Sequence, residues 1–278
     1  MKKPVLQNDA FLADVEEARR EPDRLHLWWL GQSGFLIQWH GRHVLLDPYL
    51  SDSLTLKYAA TEKPHVRMTE RVIAPDRLAF VDIITSSHNH TDHLDADTIR
   101  PILDRNPGLA MVVGAANVRF AADRLKVSPE RLTVMGADSP LHVPPFTFYA
   151  VPSAHESVEI DENGQPRHIG LVLKAGSWTL YHSGDTVAYP GMVEGLKQWR
   201  IDGALLPING RDARRRVPGN LSGPEAAQLA HDIGAGLVVP CHYDMFEFNT
   251  ASPEDFVRAA KAAAQPYRVI QNGERLTL

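Results

Sequence analysis

Three histidines and an aspartate fall within six residues in His88-Asn89-His90-Thr91-Asp92-His93. Imidazole nitrogen and carboxylate oxygen suit Zn²⁺, Mn²⁺ or Fe²⁺, and no cysteine stands nearby to make a thiolate zinc knot. In extended chain the side chains at 88, 90 and 92 point to one side, and a turn over 91–93 brings His93 back beside them. Such a segment can serve two adjacent metal ions. The competing reading, a polar loop that happens to be rich in histidine, does not account for this ligand density directly after the apolar run Val81-Asp82-Ile83-Ile84-Thr85.

A two-ion site needs further ligands, again at strand ends. His155 follows Phe148 to Pro152, Asp185 follows Trp178 to Gly184, and His242 follows Leu237 to Cys241. Each alone reads as readily as a capping aspartate or a hydrogen-bonded histidine at a core edge; their order behind the first cluster gives them meaning together. Asp47, after the strand ending at Leu46, is either a turn residue before Pro48 or the partner that orients a ligand imidazole. Cys241 precedes His242 on a strand, so alternation turns it away from the ligands as a buried apolar residue. His168 and His182 read as structural.

These ligands require strands that end together. Residues 1–24 read as a polar helical extension. A strand over Leu25–Leu30 is followed by a hairpin, Phe35–Trp39 and Val44–Leu46 about His40-Gly41-Arg42-His43. Asp47 to about Pro75 reads as a long loop. Asp95 is placed to cap a helix through about Asp104, shortened or bent by Pro101. Further strands are expected at 111–113, 131–135, 146–152, 169–174, 178–182, 203–206, 237–240, 268–271 and 275–278. Helices are expected at 117–125, from the capping box Ser222-Gly223-Pro224-Glu225 to Gly234, and at 252–264. Strands alternating with helices predict α/β layers in one domain, 1–278.

With 278 residues the chain can bury a large core. A net charge of −5 gives no electrostatic reason to expect a nucleic-acid or anionic-membrane partner. The single cysteine excludes an intramolecular disulfide framework, and no apolar run reaches the ~18 residues of a membrane span, so a cytoplasmic protein is expected.

The segments Trp28-Trp29-Leu30-Gly31, Leu46-Asp47-Pro48, His88 to His93, Tyr181-His182-Ser183-Gly184-Asp185-Thr186 and Val239-Pro240-Cys241-His242-Tyr243-Asp244 resemble the metallo-β-lactamase superfamily. More narrowly the chain is similar to the L-ascorbate-6-phosphate lactonase group. The resemblance implies a four-layer αββα fold, two mixed sheets between helices. It implies two divalent ions, zinc or manganese with iron admissible: His88, His90 and His155 on the first, Asp92, His93 and His242 on the second, Asp185 bridging. His90 stands where the oxygen-reducing di-iron relatives carry glutamate, which points to hydrolysis. Hydroxide held between ions ~3.5–4 Å apart would attack the substrate, with Asp92 as the catalytic group that handles the proton.

Substrate would be read elsewhere. Asn209-Gly210-Arg211-Asp212-Ala213-Arg214-Arg215-Arg216 places four arginines in six residues, and guanidinium forks match phosphate and carboxylate oxygens. Arg211 and Arg215 are the expected substrate contacts, with Tyr189 beyond Asp185. The expected activity is hydrolysis of a small anionic, sugar-derived lactone or ester; the alternative is a phospholipase D-like phosphodiesterase. The expected partner is a small anionic molecule, with self-association left open.

Overall fold

The computed structural model describes residues 1–215 and 217–278. Among them, thirteen strands form two mixed sheets. The first contains β1 (His26–Gly31), β2 (Gly34–Trp39), β3 (Arg42–Leu46), β4 (Ile83–Ser86), β5 (Ala110–Gly114) and β6 (Leu132–Met135), antiparallel up to β3 and parallel from there on. The second contains β7 (Leu141–Val143), β8 (Phe146–Pro152), β9 (Ile169–Ala175), β10 (Trp178–His182), β11 (Gly203–Pro207) and β12 (Val238–Cys241), antiparallel up to β10 and then parallel. The chain ends in β13 (Arg275–Thr277), which returns to pair with β1.

Both faces of the first sheet are buried, and strand alternation sorts its side chains. Leu27, Trp29, Phe35, Ile37, Val44 and Leu46 join Phe146, Phe148, Leu171 and Leu173 in the core between the sheets. Their neighbours Trp28, Leu30, Leu36 and Leu45 pack outward against helices α1 (Asp9–Ala18), α3 (Ala96–Arg105) and α4 (Val118–Leu125). Across the second sheet, α6 (Gly223–Asp232) and α7 (Glu254–Ala262) supply Ala226, Leu229, Phe256 and Ala260 to its core. Helix, sheet, sheet, helix is the four-layer order expected.

The expected polar extension is docked. Phe11, Val15 and Ala18 of α1 are buried, and the Trp28 indole donates to Asp14 at 2.7 Å. The stretch after Asp47 contains a short helix, α2 (Ser53–Tyr58). Ser222 and Glu225 form the expected capping box. At 268–271 no strand forms; Val238 makes one isolated bridge, to Tyr267. Besides α2, two further elements gave no signal in the sequence: β7, three residues between prolines, and α5 (Met192–Leu196), both shorter than any periodicity can reveal.

Pairing sets the direction of every strand. The parallel run β3 to β6 places its C-terminal ends along one edge of the first sheet, and β8, β10, β11 and β12 end along one edge of the second. Open α/β sheets carry their sites at such edges.

Candidate metal centre

The segments leaving β4, β8, β10 and β12 converge at these edges. After β4 the chain turns on itself, His93 and Leu94 donating their N–H groups to the His90 carbonyl at 3.1 and 2.9 Å. That turn supplies the return of His93 that the spacing requires. Gln32, Asp47 and His242 hold φ of 49°, 40° and 60°. Left-handed backbone is unfavourable for side chains other than glycine, and here it aims groups into one place.

Two sets of ligand atoms result, each within 4.8 Å of one another: His88, His90, His155 and Asp185, and Asp92, His93, Asp185 and His242. Asp185 belongs to both. Its carboxylate stands 3.2 Å from His93 Nε2, 3.3 Å from His155 Nε2 and 3.4 Å from His242 Nε2. Asp92 Oδ2 lies 3.5 Å from His242 Nε2 and accepts from Gln32 Nε2 at 2.9 Å.

Three of the outward ring nitrogens have partners. His93 Nδ1 donates to Asp47 at 2.6 Å and His155 Nδ1 to the Gly219 carbonyl at 2.9 Å. Ser87 Oγ donates to Asp47 and therefore accepts from His88 Nδ1, at 3.0 Å. These bonds set the tautomers so that the Nε2 lone pairs face inward. His88 Nε2, His93 Nε2 and Asp185 Oδ1 are buried without a hydrogen-bond partner. Buried polar atoms are rarely left so, and a cation in each ligand set would satisfy them; the donors fit a metal.

The electrostatics agree. Burial alone would raise the Asp185 carboxyl, but the His242 and His93 charges hold it well below its ordinary value. Burial likewise opposes ionisation of Asp92, and His93 and His242 overcome it. Burial, then His93 and His90, push His88 well down, towards the neutral ligand form. Against burial, the Asp185 and Asp92 carboxylates raise His242 to about 9. This is a concentrated set of charges with a cation's place among them.

A cavity of about 260 Å³ opens onto the cluster. Asp92, His90, His155, Asp185 and His242 form its floor, Leu54 with the rings of Tyr58, His65 and Phe246 a largely aromatic wall, and Lys57 and Arg124 its cationic lining; Gln32, Asn89, Asn220 and Asn249 also line it. Arg124, on α4, turns Nη1 to the carbonyls of Asn89 and Leu94.

The residues expected to read substrate lie elsewhere. Arg211 is paired with Glu225 and the Asn220 carbonyl. Arg215 Nη1 donates to the Asn209 carbonyl at 2.6 Å and Asn249 Oδ1 at 3.1 Å, and its Nη2 to the Thr250 carbonyl at 3.0 Å. Tyr189 donates to the Pro152 carbonyl at 2.6 Å and lines a separate groove beside Trp199. None of the three lines the cavity over the cluster. Arg216 lies outside the described residues. Lys57, Arg124 and the cavity amides carried no sequence signal, since only tertiary packing brings them here. Cys241 is buried and burial pushes its thiol well up. His182 Nε2 donates to the Ser33 carbonyl at 2.8 Å. The His168 ring stands 5.0 Å from that of His88 without joining either ligand set.

The family model described as Beta-lactamase superfamily domain matches residues 42–243. A UPF0173 metal-dependent hydrolase of Caldivirga maquilingensis is 28% identical over 246 residues, covering 88% of this chain and 93% of its own length. One of Saccharolobus solfataricus is 25% identical, covering 91% and 99%. Among solved structures, a possible metal-dependent hydrolase from Veillonella parvula superposes with a TM-score of 0.72 at 18% identity, over 92% of this chain and all 100% of that one. The isothiocyanate hydrolase from Delia radicum gut bacteria gives 0.69 at 18% identity, over 91% and 99%. With the family model spanning strands from both sheets and the histidine–aspartate cluster between them, the chain belongs to the β-lactamase superfamily.

Proposed function

We propose that the chain is a dinuclear hydrolase that opens a small anionic, sugar-derived lactone or ester, as in the L-ascorbate-6-phosphate lactonase group. The observation that carries this reading is the sharing of Asp185 by two sets of ligand atoms at the floor of one cavity. His88, His90 and His155 would hold one ion and Asp92, His93 and His242 the other. Zinc or manganese suits these donors, with iron admissible. When bound, two such ions supply a Lewis acid for the substrate oxygen and a nucleophile activated near neutral pH.

The chain's own residues do the rest. Asp92 is fixed through Oδ2 by Gln32. Its Oδ1 takes the nucleophile's proton and passes it to the leaving alkoxide. Lys57 and Arg124 draw a phosphate or carboxylate handle into the cavity, the role expected of Arg211 and Arg215. Among the described residues the carboxylates in the lining are Asp92 and Asp185, both candidate metal ligands, so they do not repel that handle. Leu54, Tyr58 and Phe246 pack against the carbon face of a small ring.

The test joins metal analysis to turnover of phosphorylated sugar lactones, neutral lactones and a generic phosphodiester. About two ions per chain and lactone opening are expected, with His88→Ala removing both activity and metal. Arg124→Ala should raise KM roughly tenfold for the phosphorylated lactone and leave the neutral one unchanged. Turnover of the phosphodiester alone would overturn the lactone reading, and an active His88→Ala protein would remove the site.

A further inference from the structure

Arg215 touches no part of the cavity, yet a chain of side-chain amides runs from it to the cavity wall. A guanidinium only donates hydrogen bonds. Arg215 Nη1 lies 3.1 Å from the Asn249 side chain, so the atom facing it must be the amide oxygen. That oxygen also receives Asn209 Nδ2 at 3.0 Å, which turns Asn209 Oδ1 to the other side, where it accepts from Asn220 Nδ2 at 3.0 Å. One cation thus dictates which end of three successive amides faces which way. Reversing any of them would set two donors, or two acceptors, against each other.

The chain ends at Asn220, which is 1% exposed and lines the cavity. Its Nδ2 is spent on Asn209, and its Oδ1 is buried with no partner. The preceding residue, Gly219, holds His155 Nδ1, and Asn220 shares the cavity lining with His90 and His155 of the first ligand set. A buried acceptor without a partner costs stability, and a ligand donor that reaches it recovers that cost on binding. A ligand lacking the donor does not.

We propose that Asn220 is a specificity residue which selects substrates carrying a hydroxyl next to the carbonyl that is attacked, and that Arg215 is the positioning residue that fixes its polarity. The hydroxyl is the donor a sugar-derived lactone offers at that carbon. The substrate half rests on the hydrolase reading of the cavity; the amide polarity does not.

The experiment therefore measures binding, separately from turnover. Calorimetry on the manganese-loaded full chain compares 2-hydroxybutyrate with butyrate. The hydroxyl should improve binding by at least tenfold in the parent chain. Any part of that gain owed to the ions persists in Asn220→Ala; the Asn220 part, roughly tenfold, disappears. Arg215→Lys keeps a donor-only cation and should keep the gain. Arg215→Gln offers either end of an amide and should reduce it, with faster water exchange of the Asn220 side-chain NH₂ protons by NMR. An unchanged gain in Asn220→Ala, failure of either acid to bind, or an unchanged NH₂ exchange rate in Arg215→Gln overturns the proposal. Lactone turnover is scored on its own: its absence with the binding pattern intact defeats the hydrolase reading and leaves the Asn220 assignment standing.

Discussion

Asp47 shows how much one buried carboxylate organises. Its Oδ1 accepts from the Ser87 N–H at 2.9 Å, and its Oδ2 takes the Ser87 hydroxyl and His93 Nδ1. Through Ser87 it also reaches His88, so one side chain orients an imidazole in each ligand set. From sequence, Asp47 was divided between a turn role and this one; the contacts that decide it come from residues 40 and 46 positions away. Asp47→Asn cannot accept at both oxygens. Metal affinity should fall between about 10- and 100-fold, read by competition with a chromophoric chelator, with far-UV dichroism unchanged. Parent-level affinity in this variant would mean that His93 is oriented by something else. The arginines give the opposite lesson. Arg211 and Arg215 were legible as anion-binding chemistry, but guanidinium groups serve a protein carboxylate and protein carbonyls equally well.

At the scale of elements, the site depends on how closely the β4 and β10 ends approach. Gly184, with φ of 59°, sits where a Cβ would lie 2.8 Å from both Cβ and Oγ of Ser87. Gly184→Ala combines a strained backbone with a collision against the residue that connects Asp47 to the histidines. A loss of roughly 2–4 kcal/mol is expected, seen as a lower urea midpoint together with reduced metal content. A stable, fully loaded variant would show that the two loops can move apart freely. The principal strands and helices were readable because each is long enough to show its period or carries a cap, as at Ser222 and Glu225. The long loop after Asp47 hid α2, whose Lys57 and Tyr58 line the cavity, because six residues show no periodicity.

Across the whole molecule, charge burial extends beyond the site. His43, fully buried on β3, accepts from Gln38 Nε2 at 2.9 Å and stacks edge-on against Phe80. Burial lowers its pKa, only partly offset by Asp82. A histidine whose folded pKa lies below its unfolded value contributes fully above pH ~6.5; as pH falls below that, the unfolded chain gains a proton the folded chain refuses. Stability should therefore drop on acidification by at most about 1.4 kcal/mol per pH unit from this group. His43→Gln should show a smaller change in urea midpoint between pH 7.5 and 5.5 than the parent chain; an equal change would acquit His43. Among the described residues no helix is long and apolar enough to cross a membrane.

What the amino-acid order determined by itself was the set of candidate ligands and its attachment to strand ends. Four candidate ligands lie within six residues, and the other three each follow an apolar run, so local pattern and side-chain type were sufficient to name the groups that the fold brings together. It also determined the layered fold, because alternation along β1 to β3 already sorts two buried faces. Tertiary structure alone decided what surrounds the ligands. Lys57, Arg124 and Asn220 belong to three separate elements or loops, and each acquires its role from groups distant in sequence. Hydrogen-bond partners that are far apart along the chain leave no periodic trace in it, which is why the cluster could be read in advance and the cavity could not.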